Sequence, residues 1–104
     1  MSKKVYMYMW EYFVRPEYQE EFEQIYGPDG EWVKLFKKAE GYISTDLYQD
    51  QDQPLRYVTT DFWESKKHSE AFRNDFAYDF KKLDDKGELY TVGEEFLGDF
   101  TRFS

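Results

Sequence analysis

Residues 5–14 read VYMYMWEYFV, and both alternating registers of that run are bulky. One register holds Val5, Met7, Met9, Glu11 and Phe13; the other holds Tyr6, Tyr8, Trp10, Tyr12 and Val14. A strand sends successive side chains to opposite faces. A strand with one solvated face alternates apolar with polar. This one is largely apolar on both, so it asks for cover on both sides.

The rest of the chain supplies cover for one side. Arg15-Pro16 ends the strand, because proline lacks a ladder donor and presets φ for a helix start. Tyr18, Phe22, Ile25 and Tyr26 then fall on one face of a helix over 17–26. Gly27-Pro28-Asp29-Gly30 interrupts it, and Trp32, Leu35, Phe36 and Ala39 resume the stripe. This predicts two helical pieces on one surface, kinked near Gly27–Gly30. Gly41 opens a strand over 42–49. The polar turn 50–54 leads into a strand over 55–64, an antiparallel hairpin. Ser65 is an N-cap for one helix running to about Lys86, with Phe72, Phe76, Phe80 and Leu83 facing the core and Gly87 as its stop. A last strand fits 94–103, with Phe96 and Phe100 on one face and Leu97 and Phe103 on the other.

The order β-α-β-β-α-β predicts an α+β, ferredoxin-like fold. A four-stranded antiparallel sheet carries helices on one face, in a single domain over 1–104. Its second face would expose several aromatic rings, and soluble monomers rarely expose apolar patches beyond a few hundred Å². The expected cover is a second copy, sheet against sheet, in a two-fold homodimer. The opposing reading is that tyrosine hydroxyls make the face wet enough.

Composition removes several functions. Lys plus Arg is 14 and Asp plus Glu is 22, a net charge of −8. That balance argues against nucleic acid, which needs clustered cations, and against anionic membrane surfaces. No cysteine is present, so disulfides, thiolate metal sites and thiol nucleophiles are absent. His68 is the one histidine, which removes metal sites built on two imidazoles. Gly27-Pro28-Asp29-Gly30 is no phosphate loop, since no Lys-Ser or Lys-Thr follows it. Glu17, Glu20, Glu21 and Glu23 read as the solvated face of the first helix, not as metal ligands. The expectation is no metal and no other cofactor. No apolar run reaches the ~20 residues of a membrane span. Met1-Ser2-Lys3-Lys4 leads into a run too short for a signal peptide, and no small-residue cleavage site follows. The expected location is cytoplasmic.

Several stretches carry a family likeness. They are Val14-Arg15-Pro16 leading into Phe22, Gly41-Tyr42, Trp63-Glu64-Ser65, Ala71-Phe72 and Leu97-Gly98. In this order and spacing the chain resembles the antibiotic biosynthesis monooxygenase family of the dimeric α+β-barrel superfamily. The resemblance implies a cavity between helices and sheet, and action on a small aromatic molecule without metal or flavin. Other relatives bind and degrade haem. This chain departs from their pattern: Lys82 stands near their axial histidine and Phe72 near their helical tryptophan.

Tyr57, Thr59, Asp61 and Trp63 share one face of the third strand. A buried carboxylate must be paired or protonated. Asp61 reads either as a general base for a phenol proton or as a strand-end carboxylate bonded to backbone, Arg56 or solvent. Trp63 either stacks on a flat substrate or anchors the strand–helix corner. His68 either shuttles a proton or is solvated beside Lys66 and Lys67. Arg73 either stabilises an oxyanion or pairs with Asp61 or solvent. Tyr57, Trp63, Phe72 and Phe76 are the expected substrate-binding walls; Asp61, His68 and Arg73 are the expected catalytic groups. Alternation alone does not choose whether the Asp61–Trp63 face meets the helices or a partner sheet. The competing function is a non-catalytic small-molecule-binding dimer.

Overall fold

The computed structural model describes residues 4–103. Met1–Lys3 and Ser104, the ends of the domain expected over 1–104, lie outside them. The elements are β1 (Lys4–Val14), a 3₁₀ turn (Pro16–Tyr18), α1 (Gln19–Tyr26), α2 (Glu31–Phe36), β2 (Tyr42–Gln49) and β3 (Arg56–Trp63). They continue with α3 (Lys66–Asp75), α4 (Ala77–Glu88) and β4 (Thr91–Phe103). The strands form one antiparallel sheet in the order β2-β3-β1-β4. This is the ferredoxin-like α+β arrangement that the element order predicts. Among the described residues no helix is long and apolar enough to cross a membrane.

Pairing fixes which side chains meet the helices. Tyr6, Tyr8, Trp10 and Tyr12 of β1 stand opposite Trp63, Asp61, Thr59 and Tyr57 of β3. These residues pack toward the buried cluster built by Phe22, Ile25, Tyr26, Trp32, Leu35, Phe36 and Phe72. The Asp61–Trp63 face therefore looks at the helices. Met7, Met9 and Phe13, with Val58 and Phe62 across the ladder, occupy the other face. Among the described residues no helix covers that face, and Phe13, Tyr48 and Phe100 are exposed there at 36, 54 and 49%. Arg56 also belongs to it, bonded to Glu11 at 2.6 Å and Asp50 at 2.8 Å. Arg56 is thus on the wrong face to partner Asp61.

Three expectations are corrected. The helix expected from Ser65 to about Lys86 is two, α3 and α4, interrupted where Phe76 leaves helical geometry at φ −115° and ψ 29°. The bend holds Phe72 against Phe36, with centroids 5.1 Å apart, and Phe80 against Trp32 at 5.0 Å. Gly87 is no stop: it lies within α4, and α4 passes so close to Tyr26 that a Cβ there would overlap the Tyr26 hydroxyl. Phe96 and Phe100 do not share a face. A register shift between Met9 and Trp10 sets Phe100 opposite Met7 but Phe96 opposite Trp10. The extra residue inverts the parity of the strand beyond it.

Gly87→Ala tests the α4–α1 approach. In an open helix this change gains about 1 kcal/mol. Here it should cost about 1–3 kcal/mol through overpacking, because the Tyr26 ring is itself wedged on Phe22 at 4.3 Å. Thermal melts should show Gly87→Ala below wild type. Adding Tyr26→Phe, which deletes the clashing oxygen, should return part of the loss.

Candidate active site

A cavity of about 60 Å³ lies between the sheet and the helices. Tyr8, Trp10 and Tyr12 of β1, Thr45 of β2, and Thr59 and Asp61 of β3 supply its sheet side. Rings of Tyr26, Trp32, Phe36 and Phe80 close it from the helical layer, and Arg73, Asp84 and Glu94 stand at its charged rim. Strand pairing produces this set: Asp61 sits directly between Tyr8 on β1 and Thr45 on β2.

Asp61 is 5% exposed. Thr45 Oγ1 donates to its Oδ1 at 2.5 Å, and the Tyr42 hydroxyl lies 2.7 Å from the same Thr45 oxygen. Burial pushes the Asp61 carboxyl up to about 7; the Thr45 hydrogen bond opposes the rise and the Asp46 charge adds to it. Burial raises the Tyr8 and Tyr12 hydroxyls too, with the Asp61 charge contributing to both. At the rim, burial also raises the carboxyls of Asp84 and Glu94. Asp61 is poised at neutral pH among phenols that stay protonated. That is the protonation pattern of a general base.

Among the described residues two polar atoms in the cavity walls, Thr59 Oγ1 and Trp32 Nε1, have no partner at full hydrogen-bond geometry, although the Tyr12 and Tyr26 hydroxyls stand near them. A buried donor left unpaired costs about 1–3 kcal/mol, so it marks a place where a bound molecule or water is recognised.

The expected site residues separate into two groups. Asp61 and Arg73 line the cavity. Arg73 does not pair with Asp61; its guanidinium lies over the Phe80 ring, 4.1 Å from the centroid. Trp63, Phe72, Phe76, Tyr57 and His68 are not among the cavity walls. Trp63 is fully buried behind them, 5.6 Å from Phe36, 5.4 Å from Tyr42 and 5.4 Å from Phe72. Phe76 stacks on Phe72 at 5.5 Å. The Tyr57 hydroxyl accepts from Gln19 at 3.0 Å and donates to Glu23. His68 closes the start of α3: its backbone N–H donates to Ser65 Oγ at 3.2 Å and its Nδ1 lies 2.7 Å from that oxygen. Its ring fits against Gly41, whose φ of +88° and crowding leave no room for a Cβ.

Sequence reasoning passed over Tyr8, Tyr12, Tyr26, Trp32 and Thr45. The signal for Thr45 was the hairpin register, which carries Gln49 opposite Tyr57 and hence Thr45 opposite Asp61. Among the described residues no group of three or more His, Cys, Asp and Glu is gathered to hold a metal.

Residues 5–79 match the family model for antibiotic biosynthesis monooxygenase, from β1 into the first turn of α4. The chain belongs to the antibiotic biosynthesis monooxygenase family. Solved structures of the same fold include a point mutant of SnoaB, a cofactor-independent oxygenase from Streptomyces nogalater. It is 20% identical with a TM-score of 0.75, over 96% of this chain and 93% of that one. A conserved protein from Bacteroides thetaiotaomicron is 12% identical with a TM-score of 0.68, over 96% and 98%. A NIPSNAP family protein from Agrobacterium tumefaciens is 12% identical at 0.65, over 94% and 90%. At these identities the likeness shows the family's fold. No curated protein matches the chain.

The buried carboxyl predicts a pH signature in stability. The folded value is raised from 3.8 to about 7, so folded protein holds a proton that the unfolded chain has released between those limits. The Asp61 contribution is fully present below pH 3.8 and declines as pH rises to about 7, by up to about 1.4 kcal/mol per unit. Asp61→Asn lacks this dependence. Urea melts from pH 4 to 8 should show the variant gaining on wild type across that window and levelling above it. A difference that stays flat with pH would mean that Asp61 ionises as freely as an exposed carboxyl.

Proposed function

We propose that this chain is a cofactor-independent monooxygenase of the antibiotic biosynthesis monooxygenase type, acting on an aromatic small molecule with Asp61 as general base. The observation that carries the reading is a buried carboxyl held near pH 7 inside a ring-walled cavity. The likeness to SnoaB, itself a cofactor-independent oxygenase, supports it as analogy. Asp61 takes a phenolic proton from the substrate. The resulting electron-rich anion gives electrons to dioxygen and forms a C–O bond at a ring carbon that bears hydrogen. Asp61 returns its proton to the peroxide, and loss of that C–H breaks the O–O bond, leaving C=O on the substrate and releasing the second oxygen as water. Thr59 Oγ1 and Trp32 Nε1 hydrogen-bond the substrate's oxygens, and Arg73 at the rim opposes the negative charge that develops. Trp63 and Phe72 back the wall, and Phe76 and Tyr57 brace its ends. His68 acts through the α3 cap rather than in proton transfer.

Ligand pockets usually hold about 300–1,000 Å³, more than this cavity offers. In the enzyme reading a ring system enters only if the helical layer moves outward, and the α3–α4 bend at Phe76 is where that layer is interrupted. The small volume also favours the second reading, a non-catalytic protein that binds a smaller molecule.

Oxygen uptake by the purified protein with a panel of anthrones and hydroquinones separates the two. In the enzyme reading, turnover rises with pH to a plateau above about 7, and Asp61→Asn lowers it by ~10²–10⁴. Panel members that raise the melting temperature without oxygen uptake would establish the binder instead.

The uncovered sheet face supports self-association. With Phe13, Tyr48 and Phe100 exposed on it, two copies of residues 1–104 join sheet to sheet as an α+β barrel. Light scattering at micromolar concentration should give about 26 kDa, twice the 12.8 kDa of one chain. Phe100→Lys should shift the population toward the single chain; a stable 13 kDa wild-type species would end this assembly.

A further inference from the structure

We infer that Asp61 exchanges its proton with solvent through a chain of two hydroxyls, Thr45 and then Tyr42, which leaves the cavity at the sheet edge opposite its mouth. The inference rests on the reading of Asp61 as the base, because a base must stand ionised before it takes the substrate's proton, and a carboxyl that holds a proton must first release it.

Geometry sets the direction of each link. An ionised Asp61 only accepts, so Thr45 Oγ1 donates its one proton to Oδ1 at 2.5 Å. That leaves Thr45 as acceptor toward Tyr42, whose hydroxyl at 2.7 Å must be the donor. The chain runs inward from Tyr42 to Thr45 to Asp61. When Asp61 is protonated both bonds reverse, and the Tyr42 hydroxyl donates outward. The carboxyl proton passes to Thr45, the Thr45 proton to Tyr42, and the Tyr42 proton to water. Three protons each move one place, and neither hydroxyl is left charged.

Burial is graded along this path. Asp61 and Thr45 are buried, and Tyr42 is partly exposed. β2 is an edge strand at one end of the order β2-β3-β1-β4, whereas Glu94 at the cavity rim belongs to β4 at the other end. A molecule seated in the cavity closes the rim side and leaves the Tyr42 side open. Tyr42 is held in place by Phe36 at 5.3 Å and Trp63 at 5.4 Å. Burial pushes its hydroxyl up to about 12, so at neutral pH it stays a group that both donates and accepts.

Other ionisable groups near Asp61 offer no such path. Asp84 of α4 and Glu94 of β4 stand at the cavity rim, and among the described residues neither side chain is hydrogen-bonded to Asp61. Tyr8 and Tyr12 from β1 share its cavity, but neither hydroxyl is bonded to the carboxylate among the described residues. Asp46 of β2 acts on Asp61 through charge alone. Arg73 of α3 is engaged with Phe80 and pairs with no carboxylate within 4 Å among the described residues.

The test needs no substrate. Protein labelled with ¹³C at the aspartate carboxyls reports both the Asp61 midpoint and its exchange rate between protonated and ionised forms. Wild type should give one averaged Asp61 line across its titration. Thr45→Val, which keeps the shape and removes the hydroxyl, should slow exchange by roughly tenfold or more, broadening or splitting that line. Thr45→Ser should restore wild-type exchange, and Tyr42→Phe should slow it with Thr45 intact. A purely structural role for Thr45 moves the midpoint and slows proton release only in proportion to it, leaving the protonation rate constant unchanged. Loss of a relay lowers that rate constant, so the tenfold slowing is read after correction for each variant's midpoint. Wild-type exchange in Thr45→Val would overturn the inference, as would equal slowing in Thr45→Ser. Wild-type exchange in Tyr42→Phe would remove Tyr42 from the path and overturn the route to the β2 edge. These outcomes are independent of turnover: slowed exchange in Thr45→Val beside an Asp61→Asn variant that turns over normally would keep the relay and reject Asp61 as base.

Discussion

The pairing of β1 with β3 is the constraint on which the rest of the structure depends. Tyr6, Tyr8, Trp10 and Tyr12 oppose Trp63, Asp61, Thr59 and Tyr57, so one register carries both the core rings and the only carboxylate that faces them from β3. A slip of one residue would turn Asp61 to the uncovered face and bring Phe62 and Thr60 under the helices. Both ends of the pairing are pinned. On the helix side the Tyr57 hydroxyl is tied to Gln19 and Glu23 of α1. On the uncovered side Arg56 bonds Glu11 of β1 and Asp50 of the hairpin turn. These contacts act on opposite faces of neighbouring residues, so a slipped register loses both.

Rings then dominate the interior. Phe22 stacks on Tyr26, Trp32 meets Phe80 edge-on, and Phe36 meets both Phe72 and Trp63 edge-on. Each ring buries far more area than an aliphatic side chain of the same backbone length. A short chain can therefore sustain unfavourable groups at its centre. Those groups are the desolvated Asp61 and the unpartnered Thr59 Oγ1 and Trp32 Nε1. These three lie together in one cavity, where a bound molecule would reach them; Thr60 Oγ1 and Trp63 Nε1, also buried without a partner, lie outside it.

The architecture was legible because it is written in periodicity. The two full registers of β1, the kink after Tyr26 and the hairpin around Gln51 all appear as spacing or turn chemistry. The break at Phe76 was not legible, since Phe72, Phe76, Phe80 and Leu83 remain in phase across it. The β4 register shift was hidden for the opposite reason: one inserted residue changes parity without changing composition. Of the candidate site, Asp61 could be read because a carboxylate on a ring-bearing face has few explanations. Trp63 shares that face, yet α3 and α2 close over it, and alternation gives direction but not depth. His68 was ambiguous because a cap and a proton carrier look alike until Ser65 is seen to hold it. Thr45 required the pairing of β2 with β3, information that no single strand contains.

The burial of Asp61 also bears on the energetics of the proposed reaction. Moving a proton from an ordinary phenol, near pKa ~10, to an exposed aspartate is uphill by about 8 kcal/mol. With Asp61 pushed up to about 7, transfer from a phenol whose oxygen keeps the hydrogen bonds it has in water is uphill by about 4 kcal/mol; a phenol desolvated as Tyr8 and Tyr12 are would lose part of that gain. The gain does not come from a new interaction in the product state. It comes from a desolvation cost already present in the folded protein, since the transfer relocates one negative charge and adds none to a cavity that Asp84 and Glu94 also line. The charge moves from carboxylate to substrate oxygen without any further ion being taken out of water. Thr45 sets the size of this effect, because its hydrogen bond is the interaction that keeps the carboxyl from rising further. A stronger bond there would make Asp61 a weaker base, and without it the carboxyl would rise further and be ionised in a smaller fraction of molecules at neutral pH.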